Sequence, residues 1–345
     1  MTSSNKINEL PQNAKILIVL GGALGDIARA ITVPSIIKRE RPDIEITWLV
    51  DSKWRSFLTL CPAVDNLVGF DRSKPLSAIF STKKILRKLG PFDCSLDLQR
   101  HLKSGLLTRL GGAKRRLGFS SKDAKECNWL FNNEYIKKIN NSESKVYHYL
   151  HFLEYLGFSE YKKPFFAFNK EECVASVEEF FIEKTAPFFS FVLGSSWASK
   201  DWTEEGYREA IQRFVDEKSG TAVLLGDRTQ VALAAKLEEV RPSRILNLVG
   251  KTNLAELCGA IGKSDLLIGP DTGPGHIAAL FEKKYIGLFG PTDPARVAPY
   301  GSEHLVLTAD VPCRPCWKRE CPGLGGVCMS KQSVEAIAAL SSKLI

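Results

Sequence analysis

The segment Lys15-Ile-Leu-Ile-Val-Leu20 is a continuous apolar run that stops at Gly21-Gly22, and helical spacing then runs through Ile27, Ile31, Ile36 and Ile37. A run apolar on both faces is the mark of a strand inside a parallel sheet that is covered by helices on both sides. Residues 44–50 form a second β-rich run after Pro42-Asp43, so the first fifty residues read as one βαβ unit. The same alternation restarts beyond the middle of the chain. Residues 188–193 form a strand ending at Gly194-Ser-Ser, residues 202–214 a helix, and residues 221–225 a strand ending at Gly226-Asp227. The runs 266–271 and 285–290 continue that second series.

The predicted fold is therefore α/β, with two Rossmann-like doubly wound domains facing a cleft. A length of 345 residues agrees, because one hydrophobic core rarely fills so long a chain. The expected divisions are a first domain over 1–168, a charged, helix-like linker over 169–186 that runs up to Pro187, and a second domain over 187–329. An amphipathic helix over 330–345 closes the chain and is expected to be able to pack back on the first domain.

Hydrophobic residues at 44% and charged residues at 25% exclude disordered and collagen-like classes. Residues 1–14 are polar, and the first apolar run is too short for a signal-peptide core or a membrane span, so a cytoplasmic protein is expected. Nine cysteines fit a reducing compartment, with Cys61, Cys94, Cys127, Cys173 and Cys258 scattered as single thiols. The formal net charge of +8 favours an anionic partner: nucleic acid, an acidic lipid surface or a phosphorylated substrate.

Three loops carry candidate chemistry. In Gly21-Gly-Ala-Leu-Gly-Asp26 the glycines permit a sharp turn beside a ligand, and Asp26 falls at or near a helix start, as a cap or as a working carboxylate. The glycines at 21, 22 and 25 miss the dinucleotide-binding spacing, although Asp51 could imitate its ribose-binding acid. A nicotinamide oxidoreductase and a non-catalytic nucleotide- or nucleic-acid-binding module are the rivals from other classes. Gly194-Ser-Ser-Trp-Ala-Ser-Lys-Asp-Trp202 offers Ser195 and Ser196 as short donors and Lys200 as a point charge, which suits a pyrophosphate. Asp271-Thr-Gly-Pro-Gly-His276 opens a helix after a strand, where outward amides favour an anion.

These strings, with Trp202-x-x-Glu-x-Tyr207 and Phe289-Gly-Pro-Thr-Asp-Pro294, resemble the heptosyltransferase branch of glycosyltransferase family nine, in the same order over nearly the whole chain. The resemblance implies the two-domain GT-B glycosyltransferase architecture and an inverting transfer of heptose from ADP-heptose to the inner core of lipopolysaccharide. It implies Asp26 as general base, and a donor site of Ser195, Ser196, Lys200, Asp271, Thr272, Gly273 and His276. Gly25, Arg100 and Lys103 are the implied acceptor contacts, the last two following Asp97-Leu-Gln. A related enzyme acting on another nucleotide sugar or on a protein acceptor would share much of the pattern.

The implied partners are ADP-heptose, an anionic lipid-linked saccharide and the inner face of the cytoplasmic membrane, to which the chain would attach peripherally; no nucleic acid is expected. The run from Arg100 to Arg116, with six basic residues and no acidic one, is either a solvated helix face or a surface for anionic head groups. Catalysis needs no cofactor on this reading. Separately, Cys313-x-x-Cys316-x4-Cys321-x6-Cys328 places four thiols within sixteen residues, a spacing that can close a structural zinc or iron site or leave a loop of reduced cysteines.

Overall fold

The computed structural model describes residues 10–73 and 75–344. Most of the polar lead-in expected over residues 1–14, namely 1–9, and the last residue of the closing helix lie outside the described residues. The chain divides into two compact units between Asn169 and Lys170.

The first unit is built on six strands: β1 (Lys15–Val19), β2 (Glu45–Asp51), β3 (Asn66–Phe70), β4 (Cys94–Asp97), β5 (Arg115–Gly118) and β6 (Glu134–Tyr135). They are all parallel and lie in the order β3-β2-β1-β4-β5-β6. Central β1 holds Leu17 between Thr47 of β2 and Ser95 of β4, and its Leu17 and Val19 join Leu49, Val68, Phe92 and Leu107 in one core. The second unit repeats the plan with β7 (Phe188–Val192), β8 (Thr221–Leu225), β9 (Ile245–Asn247), β10 (Leu266–Pro270), β11 (Tyr285–Phe289) and β12 (Val306–Thr308). Its order, β12-β11-β10-β7-β8-β9, is the same doubly wound order read from the other edge.

The apolar runs located β1, β2, β7, β8, β10 and β11. The strands without such runs escaped notice. Strand β4, Cys-Ser-Leu-Asp, is buried throughout, and β5, Arg-Arg-Leu-Gly, coincides with the end of the basic run from Arg100 to Arg116. Arg115 is in fact held bidentately by Glu134, at 2.8 Å from both Nε and Nη2, while Arg116 donates to the carbonyls of Phe131 and Ala113. Those two cations therefore knit the sheet edge together.

Residues 169–186, expected as a helix-like linker, carry the helices Lys170–Ala175 and Glu178–Phe181. The first packs on the helix Leu254–Lys263 so closely that a Cβ on Gly259 would stand 2.0 Å from the Cys173 carbonyl oxygen. The closing helix, Val334–Ser341, packs on the helix Glu204–Lys218, and its Val334 and Ile337 enter the core of the second unit. Its apolar face is thus occupied within that unit.

The helix Glu204–Lys218 begins at a Thr203 cap whose side chain accepts from the Gly206 amide. Gly206 lets the buried Trp202 ring lie against the first turn; an added Cβ would come within 2.4 Å of that ring. Alanine ordinarily suits a helix better than glycine by up to about 1 kcal/mol. Here overpacking should reverse the sign and cost about 1–3 kcal/mol. Gly206→Ala is therefore expected to lower the thermal midpoint, and a raised midpoint would contradict the tight Trp202 contact.

Candidate active site

Where strand order reverses, neighbouring strands send their connections to opposite faces and leave the strand ends open. In the first unit the reversal lies between β1 and β4. The loop after β1 is bracketed by Gln99, from the loop after β4: its Oε1 accepts from the Gly21 amide at 2.8 Å, and its Nε2 donates to the Gly22 carbonyl at 2.9 Å. The helix Leu24–Ala30 follows, with Ala23 as its cap residue, so Asp26 is its third residue and does not cap it. Gly25 is buried in the same turn.

Asp26 is held by positive charge. Its Oδ1 accepts from Arg29 Nη2 at 2.6 Å and lies 3.4 Å from Lys145 Nζ. Tyr149 is hydrogen-bonded to the same carboxylate, and burial, then the Asp26 charge, push its phenol well above the ordinary range, so it stays a donor. Two cations and one hydroxyl thus meet the Asp26 carboxylate, whose side chain is still 23% exposed.

Asp26 opens onto a pocket lined by Gln99, Arg100, His101, Lys125 and Lys145, and among the described residues that line it Asp26 is the single carboxylate. Arg100 adopts φ 72° and lays its guanidinium 5.0 Å from the Phe119 ring centre. The structure thus brings Asp26 and Arg100 to one pocket, whereas Lys103 stands on the exposed side of the helix Leu102–Leu110. Lys145 and Tyr149 were not foreseen. They lie more than a hundred residues from Asp26, on the helix Lys145–Leu156, and no local pattern marks them.

In the second unit the reversal lies between β7 and β10. Two buried tyrosines fix the strand ends, Tyr207 Oη donating to the Val192 carbonyl and Tyr285 Oη to the Pro270 carbonyl, each at 2.7 Å. Gly269 admits the Tyr285 hydroxyl; a Cβ there would lie 2.7 Å from it. Thr272 then stands at the cap position of the helix Gly273–Leu280, with Pro274 in the first turn and no side chain capping its amides. The helix start is therefore dressed for an anion.

Across this reversal Lys200 Nζ meets Asp271 Oδ2 at 2.7 Å and the Asp271 carbonyl at 3.2 Å, and it lies 4.4 Å from the Trp197 ring centre. His276 is buried, with Nε2 3.8 Å from Asp271 Oδ1. Burial alone would raise the Asp271 pKa. The neighbouring His276 ring and the Lys200 ammonium outweigh it and hold the carboxyl well below the usual range. Ser195 closes its own loop, its amide donating to Asp201 Oδ1 at 2.7 Å and its hydroxyl to the Trp197 carbonyl at 2.9 Å. Ser196 is exposed beside it.

The cysteine-rich loop is anchored to this site. Ser199 Oγ donates to the Lys318 carbonyl at 2.6 Å, the Ser199 amide donates to Arg319, and Arg314 Nε donates to the Gly290 carbonyl at 2.7 Å. Cys313, Cys316, Cys321 and Cys328 line one cavity with Ser199. Burial, and then the neighbouring thiols, push the Cys328 thiol up. Among the described residues, however, no three His, Cys, Asp or Glu side chains stand in an arrangement that could hold a metal ion, so the thiols share a cavity without forming a closed coordination shell.

Comparison with known proteins gives these sites a family. The chain is 29% identical over 307 residues to the lipopolysaccharide core heptosyltransferase OpsX of Haemophilus influenzae, covering 87% of this chain and 85% of that protein. A glycosyltransferase family 9 structure from Veillonella parvula superposes with a TM-score of 0.83 at 20% identity, covering 97% of this chain and 98% of that one. The E. coli heptosyltransferase WaaC with ADP superposes with a TM-score of 0.78 at 21% identity, covering 96% and 100%. The family model described as Glycosyltransferase family 9 (heptosyltransferase) matches residues 79–325, and with two doubly wound units in the GT-B manner the chain belongs to that family of glycosyltransferases.

Proposed function

We propose that this enzyme transfers heptose from ADP-heptose to an inner-core sugar of lipopolysaccharide with inversion at the anomeric carbon. The observation that carries the reading is the pair of sites at the two strand reversals: a cation-held carboxylate in one unit, and a lysine with an open helix start in the other. OpsX, by its name, acts on the lipopolysaccharide core, and WaaC was solved with ADP, so both substrates are consistent with relatives of this chain.

In this mechanism the acceptor hydroxyl donates a hydrogen bond to Asp26. As its oxygen bonds to the anomeric carbon, the proton passes to the Asp26 carboxylate and the bond from that carbon to the diphosphate oxygen breaks. ADP leaves without needing a proton, its charge met by Lys200, Thr272 and the first amides of the helix that begins at Gly273. Asp271 and His276 keep Lys200 in place, and Ser195 and Ser196 form the rim of that loop. Arg100 binds an anionic group of the acceptor, and Gly25, in the helix turn that carries Asp26, and Lys103, on the exposed side of its helix, are the further acceptor contacts of this reading. No helix among the described residues is long and apolar enough to cross a membrane, so a lipid-linked acceptor would be met by peripheral attachment to the inner membrane surface.

Asp26→Asn preserves size and should lower turnover by about 10²–10⁴-fold while leaving ADP affinity unchanged; a variant retaining half the wild-type rate would remove Asp26 from the chemistry. Arg100→Ala, in the same assay, should raise KM for the acceptor and not for the donor. The assay itself is incubation with a panel of nucleotide sugars and lipopolysaccharide-core acceptors, read by mass spectrometry.

Lys200→Ala deletes a charge-assisted contact worth about 1.5–3 kcal/mol and should weaken ADP binding roughly 10- to 100-fold in calorimetry. His276→Ala should weaken it by less. Unchanged affinity in both variants would place the donor elsewhere.

A structural zinc or iron at the four cysteines is supported by thiol chemistry and by their shared cavity, and binding would require the loop to draw its thiols together. Elemental analysis of anaerobically purified protein should then find about one metal per chain. Metal-free protein with four titratable thiols in this loop would show that it folds without one.

A further inference from the structure

Half of the exposed large hydrophobic side chains among the described residues fall on three elements of the first unit. Phe80, 74% exposed, and Ile85 lie on the helix Pro75–Leu89; Leu102 and Leu106 lie on the helix Leu102–Leu110; Trp129 and Leu130, the latter 62% exposed, lie on the 3-10 turn Asn128–Phe131. These elements adjoin one another. The two helices touch, and the turn docks on the second helix where Gly105 leaves room for the Phe131 ring. Asn128 fastens that turn, donating to the buried Asp97 at 2.6 Å and to the His101 carbonyl at 2.7 Å.

The charge carried by the two helices has one sign. At 100° per residue, Phe80 and Ile85 bound the exposed arc of their helix, with Lys84 and Lys88 between them and Arg87 beside Phe80. Leu102, Leu106 and Arg109 follow one another along the second helix, flanked by Lys103. Neither helix contains an acidic residue. The nearby exposed acid, Glu126, is engaged by the His101 ring and the Leu102 amide. Exposed apolar side chains interspersed with lysine and arginine match the boundary between head groups and acyl chains of an anionic bilayer, where the rings and leucines enter the apolar layer and the cations meet phosphate. His101 joins the patch to the pocket, for it lines the Asp26 pocket and directly precedes the helix Leu102–Leu110.

We infer that this surface is a membrane-docking face: the apolar side chains of residues 80, 85, 102, 106, 129 and 130 insert shallowly into an anionic leaflet and set the Asp26 pocket at the level of the head groups. The inference rests on the peripheral attachment proposed above and specifies its location. It also assigns the outer cations, Lys103 among them, to lipid head groups, while Arg100 faces the pocket.

The test is flotation of the full-length protein with vesicles of phosphatidylcholine alone or mixed with phosphatidylglycerol, at low and high salt. Wild-type protein should float with the mixed vesicles at low salt, and less so at high salt. The triple variant Phe80→Ser, Leu106→Ser, Leu130→Ser should lose at least about tenfold in partitioning. It should keep wild-type transfer to a delipidated, water-soluble acceptor, because none of the three residues touches the pocket. Lys84→Gln with Lys88→Gln should flatten the salt dependence. Wild-type protein that ignores anionic vesicles would overturn membrane attachment as a whole. Wild-type binding that the triple variant retains would overturn this face while leaving attachment intact. A wild-type dimer that the triple variant dissolves would show that a second copy covers the patch, and would overturn the inference.

Discussion

The reversal of strand order in the middle of each sheet is the constraint on which the rest depends. Parallel strands leave their carboxyl ends at one edge, and at a reversal the chain departs to opposite faces, so two adjacent strand ends have no connection covering them. Their backbone groups must be satisfied by side chains from next door. In the first unit Gln99 does this for the Gly21–Gly22 turn; in the second, Tyr207 and Tyr285 do it for the ends of β7 and β10. The same gap that creates the need leaves room for substrate.

The two reversals are furnished with opposite electrostatic logic. At the first, the cations Arg29 and Lys145 meet one carboxylate, Asp26, that stays partly exposed. At the second, a carboxylate and a histidine are buried behind one lysine, whose ammonium is thereby held at the mouth of an uncapped helix. A buried ion pair contributes little net stability once desolvation is counted. Its value here lies in position, because Asp271 orients Lys200 beside the amides that an anionic leaving group would use.

The basic stretch between residues 100 and 116 shows why charge runs resist reading along the chain. Its members serve three surroundings: Arg100 lines the pocket, Lys103 and Arg109 lie on the outer face, and Arg115 and Arg116 bind a sheet edge. They are neighbours in sequence because a strand end, a helix and the next strand succeed one another within seventeen residues. Which way each side chain points depends on the element it lands in.

By itself the sequence determined whatever follows from local pattern. Continuous apolar runs located the strands that are buried on both faces, glycine-rich strings located the turns after β1, β7 and β10, and those turns hold Asp26, Lys200 and the Asp271 to His276 loop. Local pattern suffices there because strand burial and turn geometry are enforced residue by residue. It failed for β4 and β5, whose short polar sequences become strands only through partners on both sides, and it could not choose between a cap and a working carboxylate for Asp26, where the structure gives the cap position to Ala23. Only the tertiary structure could set Lys145 and Tyr149 against Asp26, or Lys200 against Asp271, since these pairs are separated by scores of residues and meet because the sheet order brings their elements together. The closing helix obeyed the same rule: its amphipathic pattern fixed that it must bury one face, and packing on the helix Glu204–Lys218 decided where, because apolar area is satisfied by any neighbour that fits.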